Sequence, residues 1–169
     1  MRNQNTKSSI LKYHGRSYPL KMLPEEKLQL TQIDKEILRR RINYPTLSEL
    51  PEDAARVALD KMLFQYAALY GCPMPRSERL AKAISECIQE FVNEFYDTYS
   101  IEEIMYALKI NVLEKLVNKS GDDIERVLFY GVFPNAMFLS KVLERYSTQR
   151  NNLDMKIREF IDSQENVIA

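Results

Sequence analysis

Few residues in this sequence have the type and spacing that catalysis or metal binding needs. His14 is the single histidine, and Cys72 and Cys87 are the only cysteines. No Cys-x-x-Cys or His-x-x-x-His pair supplies the ligand spacing of a zinc site. No Gly-x-x-x-x-Gly-Lys-Ser/Thr run offers a phosphate cradle, and no Gly-x-Ser-x-Gly elbow presents a nucleophile. Gly15, Gly71, Gly121 and Gly131 read as turns or helix ends. The acid pairs Glu25/Glu26, Glu52/Asp53, Glu102/Glu103 and Asp122/Asp123 each sit at a predicted helix start. There they complement the positive end of the helix dipole without any catalytic role. The expectation is a protein that is not an enzyme and carries no metal or cofactor.

The chemistry that remains is cationic charge interleaved with aromatic rings. Lys and Arg number 24, as do Asp and Glu, so the formal net charge is zero. Residues 1–24 nevertheless hold Arg2, Lys7, Lys12, Arg16 and Lys21 and no acid, which is +5 and leaves −5 for the remainder. Tyr13, His14 and Tyr18 lie among them. Basic residues with interleaved aromatics can meet phosphates and stack on bases; a solvated tail accounts for the same composition. The candidate contact residues for nucleic acid or an acidic partner are Arg2, Lys7, Lys12, Tyr13, Arg16 and Lys21. Arg145 and Arg150 of the last helix join them, Arg145 lying one turn from Lys141. A solvated helix face is the competing reading of that second group. No helix-turn-helix pattern of a sequence-specific DNA reader is evident.

The elements that must carry these residues are helical. With 169 residues, 45% of them hydrophobic and 28% charged, the chain suits one domain plus an arm. A first helix is predicted from about Pro24 to Ile42. A second start stays open at Thr31, three residues before Asp34. Tyr44-Pro45 ends it, because the residue before Pro resists helical geometry. Ser48 is the predicted cap of a second helix, Pro51 to Tyr70, which Gly71 closes in the left-handed region. The third, Ser77 to Tyr96, carries a stripe of Leu80, Ile84, Cys87, Ile88, Phe91 and Phe95, in which Cys87 reads as a small buried hydrophobe.

The fourth helix opens on a Ser100-x-x-Glu103 capping box, with a stripe from Ile101 to Leu116. Tyr96, Tyr99 and Tyr106 cluster around the junction of the third and fourth helices. A short fifth helix is expected over Ile124 to Tyr130. A long last helix, capped by Asn135, shows Phe138, Leu139, Val142, Leu143 and Tyr146 on one face. After a polar run at 147–152 the periodicity resumes at Leu153, Ile157, Phe160 and Ile161. That helix either runs on, projecting beyond about residue 150, or breaks and restarts. A projecting helix cannot bury those residues in its own protomer, which would make it an oligomerisation element.

No window shows the alternation of a strand with turn chemistry on both sides. The expected fold class is all-α: a compact bundle of five or six helices over 24–169, preceded by a flexible basic arm over 1–23. Its core should include Leu63, Ile84, Ile88, Phe91, Leu108 and Val142. Two cysteines are too few for a secreted disulfide framework. The basic N-terminus lacks the apolar run of a secretory signal, and no stretch approaches the roughly 18 apolar residues of a membrane span. The expected location is the cytoplasm, with no membrane partner.

From about residue 57 to 150 the order of elements is Leu69-Tyr70-Gly71, then a helix pair joined through Phe95-Tyr96-Asp97-Thr98-Tyr99-Ser100-Ile101-Glu102-Glu103. Tyr130-Gly131-Val132-Phe133-Pro134 then leads into Leu139-Ser140-Lys141-Val142-Leu143-Glu144-Arg145-Tyr146. This order resembles small helical proteins of phages and mobile elements, including replication accessory proteins of the helicase-loader type. The resemblance implies a helical domain that engages the replicative helicase, and it assigns no functional residue. The functional expectation is a non-enzymatic helical adaptor that binds a protein partner, with the basic arm touching nucleic acid or an acidic partner. The alternative is a structural or assembly subunit of the virion type.

Overall fold

The computed structural model describes residues 7–71, 75–113, 116–117, 123–124 and 136–168, and most of these are helical. Helix α1, Gln32–Asn43, begins at the later of the two expected starts. The Thr31 Oγ1 accepts from the Asp34 N–H at 3.1 Å while the Asp34 carboxylate accepts from the Thr31 N–H at 3.0 Å. This reciprocal box satisfies two otherwise free donors. Pro24 has no side chain that can do so, and only a single 3₁₀ turn, Glu25–Lys27, follows it.

Helix α2, Glu52–Leu69, starts at Pro51 rather than from a Ser48 cap. Ser48 lies instead in a short 3₁₀ turn, Leu47–Glu49, that Thr46 and Glu49 box. That turn is tied to the loop after the next helix by Leu47 N–H to Tyr99 O (2.9 Å) and Ser48 N–H to Asp97 O (3.0 Å). Gly71 closes α2 at φ 68°, a conformation that costs glycine little because it has no Cβ.

Helix α3, Glu78–Phe95, is capped by Ser77, whose Oγ accepts from the Leu80 N–H at 3.3 Å. Helix α4, Ile101–Leu113, carries the expected box: Ser100 Oγ accepts from Glu103 N–H (3.0 Å) and Glu103 accepts from Ser100 N–H (3.2 Å). Helix α5, Ala136–Ile168, is one continuous helix of 33 residues. Its expected cap Asn135 and the short helix expected through Tyr130 lie outside the described residues. Asp123–Ile124 pairs as an antiparallel strand with Leu116–Val117, so the expected helical positions of Leu116 and Ile124 are corrected.

The largest departure from expectation is at the N-terminus. Strands β1, Ile10–Tyr13, and β2, Arg16–Pro19, form an antiparallel hairpin pairing Ile10 with Pro19 and Tyr13 with Arg16. The two-residue loop has His14 at φ 49° and Gly15 at φ 71°. Positive φ at both central positions matches the twist of the flanking strands. Leu11 and Leu20 enter the common core, and Ser8 and Ser9 are buried. The flexible arm expected over 1–23 is therefore corrected for residues 7–23, which fold back onto the helices. The strands are four residues each and their apolar positions do not alternate cleanly, so only the His14-Gly15 turn marked them in sequence.

Helix α2 packs on α4, α4 on α5, and α1 on both α4 and α5; α3 lies against α2 and α5. Ile37, Leu38, Leu59, Met62, Leu63, Ile88, Ile104, Leu108, Val142 and Tyr146 form the centre of the core. Helix α5 runs on past residue 150 but does not project. Leu153, Ile157 and Ile161 are buried in their own chain, and Phe160 packs at the edge. Helix α1 and the hairpin supply the cover, which corrects the projecting helix and removes its motive for oligomerisation.

Candidate interaction surface

Arg150 and Lys156 of the last helix are structural, whereas Lys141 is exposed. Arg150 donates through Nε to Glu103 Oε1 at 2.9 Å, approaches Ser8 Oγ at 3.4 Å, and stacks its guanidinium 4.3 Å from the Tyr99 ring centroid. Burial works most strongly against the Arg150 charge, but Glu103, Tyr99, Tyr146 and Asp154 together more than offset it, so the pKa lies above its ordinary value. The Tyr146 hydroxyl donates to the same Glu103 oxygen at 3.1 Å. Burial first, and then the Glu103 charge, push that hydroxyl well above its usual range. Two further ion pairs run parallel to this one. Arg41 of α1 meets Asp154 at 2.5 Å, and Lys156 meets Asp34 at 2.5 Å. Charges this deep persist only when paired.

The expected contact residues are accordingly dispersed. Arg2 lies outside the described residues. The Lys7 backbone N–H donates to Glu49 at 2.8 Å. Tyr13 donates its hydroxyl to Asp162 at 2.7 Å, and that hydrogen bond is the main reason its pKa is raised. Arg16 lies 3.5 Å from Glu165. Lys12 and Lys21 are exposed. Arg145 is only 6% exposed and Arg150 is sealed against Glu103. Their expected role as surface contacts is corrected: the polar run at 147–152 turns Arg150 inward because a carboxylate waits there.

The open surface lies on α3. Ile88 and Val92 are buried, and Ile84 and Phe91 are half-buried. Leu80 is 53% exposed, Phe95 is 64% exposed, and Cys87 is exposed. The expected burial of Cys87, and the full burial of Ile84 and Phe91, are corrected. The cause is the rotation of the helix about its axis. Asp60 of α2 accepts from Ser85 and from Gln89, the latter at 3.1 Å. Those bonds turn the row of Ile88 and Val92 into the core and leave the neighbouring row, Leu80–Cys87–Phe91, at the rim.

Between the C-terminal end of α3 and α5 runs a groove of about 480 Å³, floored by Phe91, Phe95, Tyr96 and Tyr99 and edged by Glu144 and Ser147. The Tyr99 hydroxyl is held by Ser147 at 2.6 Å. Burial, and then its neighbours Tyr99 and Glu144, raise the pKa of Tyr96. The aromatic floor faces an equally substantial polar wall of Ser140, Glu144, Ser147 and Asn151, a mixed lining that suits a partner side chain with both apolar and hydrogen-bonding parts. Among the described residues no three His, Cys, Asp or Glu side chains gather as metal ligands, and no helix is long and apolar enough to cross a membrane.

Comparison with protein-family models, curated proteins and solved structures finds no significant match.

Sequence reasoning located the α3 stripe but took it for core. A signal was present. Helix α3 carries two adjoining apolar rows, Leu80–Ile84–Cys87–Phe91–Phe95 and Ile88–Val92, which is more than two neighbouring helices hide. Arg76, Arg79, Glu90 and Glu94, which flank the open row, were not singled out.

Proposed function

We propose that this chain is a non-enzymatic helical adaptor that works by protein–protein contact through the open face of α3. One observation carries the reading: the most clearly amphipathic helix leaves Leu80, Cys87 and Phe95 at the surface along one helical row, whereas the other exposed large hydrophobics among the described residues, Met22, Val57, Phe64, Leu69 and Met137, are spread over other elements. Contiguous exposed apolar residues mark interaction sites. The resemblance to replication accessory proteins of phages and mobile elements supports the same class of role, a compact bundle that engages a larger machine inside the cell. The assembly-subunit alternative no longer rests on the end of α5, whose Leu153, Ile157 and Ile161 are covered within the chain. Nucleic-acid contact would fall to Lys7, Lys12, Arg16 and Lys21, whose side chains stand exposed on the hairpin side.

The test is a pair of substitutions, Leu80→Asp with Phe95→Asp, which alters the face and leaves the core intact. Affinity capture from the native host is run with both forms side by side, and each retained protein is retested in purified form. The expected result is a partner held by the wild type and lost by the variant at unchanged melting temperature. Equal capture by both forms would overturn the reading.

A further inference from the structure

We infer that the open face of α3 pairs with the α3 of a second copy, antiparallel, about a two-fold axis crossing the helix between Ile84 and Cys87. The inference rests on the reading of this face as a protein-contact surface and names its occupant. The argument is the order of charges beside the open row. Arg76 and Arg79 stand near the N-terminal end, and Glu90 and Glu94 near the C-terminal end. All four are exposed, and none joins an ion pair among the described residues.

A helix with basic charge at one end of a face and acid at the other is complementary to itself only when turned end for end. A two-fold axis perpendicular to the helix does this and keeps each flank above the same flank of its copy. In the register that sets Leu80 over Phe91 of the second copy, Ile84 lies over Cys87. Arg79 then falls between Glu90 and Glu94 of the second copy, and Arg76 falls beside Glu94. The 18 residues of α3 make a seam about 27 Å long at 1.5 Å per residue. The steps of four, three and four between Leu80, Ile84, Cys87 and Phe91 are those of a helix–helix seam. An unrelated partner would have no reason to meet this charge order in reverse, whereas a second copy does so by symmetry.

The register also brings two thiols together. The two Cys87 residues sit about 4.5 Å apart along the helix axis, within the span of a short bismaleimide. The experiment uses the full chain with Cys72→Ala and follows its mass by light scattering across a concentration series. The expected result is a monomer–dimer equilibrium and a bismaleimide-linked dimer through Cys87. Arg79→Glu should weaken dimerisation roughly tenfold, since each substitution enters a symmetric interface twice. Adding Arg76→Glu, Glu90→Arg and Glu94→Arg to that variant, which reverses the whole charge order, should restore it.

A chain that stays monomeric throughout the series overturns the inference. So does a dimer indifferent to Arg79→Glu, or one in which Cys87 does not link. Monomeric behaviour combined with loss of a captured protein in the Leu80→Asp, Phe95→Asp variant leaves the adaptor reading standing alone. A dimer with no captured partner leaves the pairing standing alone.

Discussion

Two sides of this molecule handle the same residue types in opposite ways. Where α5 meets α1, α4 and the hairpin, Arg41 and Arg150 are drawn inside and Lys156 reaches in from the rim, and each is matched by a carboxylate: Asp154, Glu103 and Asp34. On α3, Leu80 and Phe95 are left outside, with Arg79 and Glu94 beside them. One side buries charge and the other exposes hydrocarbon. A buried ion pair adds little net stability compared with apolar packing, but it penalises any arrangement that separates the partners. The charged side therefore holds α1, α4 and α5 in one register, while the α3 side keeps its apolar surface for a contact outside the chain.

The contrast breaks most visibly at Glu103. Glu103→Ala leaves the Arg150 guanidinium buried without its carboxylate and removes the acceptor of Tyr146. A loss of about 3–5 kcal/mol is expected, measured by denaturant unfolding. Glu103→Leu combined with Arg150→Met should cost less than the sum of the two singles, because no lone charge remains. A single-variant loss below about 1 kcal/mol would mean that water reaches this site.

The hairpin offers the next test. Leu20 is fully buried, so Leu20→Ala should cost about 2–5 kcal/mol through lost transfer energy and a cavity. Leu80→Ser, on the open side, should change stability by no more than about 0.5 kcal/mol. Equal effects of the two in thermal melts would erase the distinction between the sides.

The smallest effect sharpens the comparison by pH. Glu36 accepts from Arg40 at 2.5 Å and from Arg39 at 3.1 Å. These hydrogen bonds, Arg40 first, hold its pKa below the ordinary 4.5. A carboxylate depressed in the folded state contributes stability that is complete above its unfolded value and lost as pH falls through the lower folded one. Its side chain is 30% exposed, so water screens the pair and the contribution stays under about 1 kcal/mol. Glu36→Gln should flatten the acid limb of the stability curve below pH 4.5 and leave the alkaline limb unchanged, as followed by circular dichroism. An unchanged acid limb would place the acid sensitivity in other carboxylates.

From the residues alone, four helix boundaries are legible through local caps. Thr31 with Asp34, Ser77, Ser100 with Glu103, and Gly71 act within a turn of where they sit, since a cap bonds to a backbone group three residues away. The start expected at Pro24 and the cap expected at Ser48 failed locally, but the larger failures were non-local. Arg150 could not be assigned to the interior without Glu103, 47 residues earlier. The hairpin could not be told from a tail without Asp162, 149 residues beyond Tyr13. The α3 stripe had the same helical spacing as the buried stripes of α2 and α4, and only its second adjoining apolar row set it apart. Periodicity states that a helix has an apolar face, whereas the rotation imposed by Asp60 on Ser85 and Gln89 states which part of that face is covered. Only the packing of distant segments made that choice, because burial is a property of neighbours and not of the residue buried.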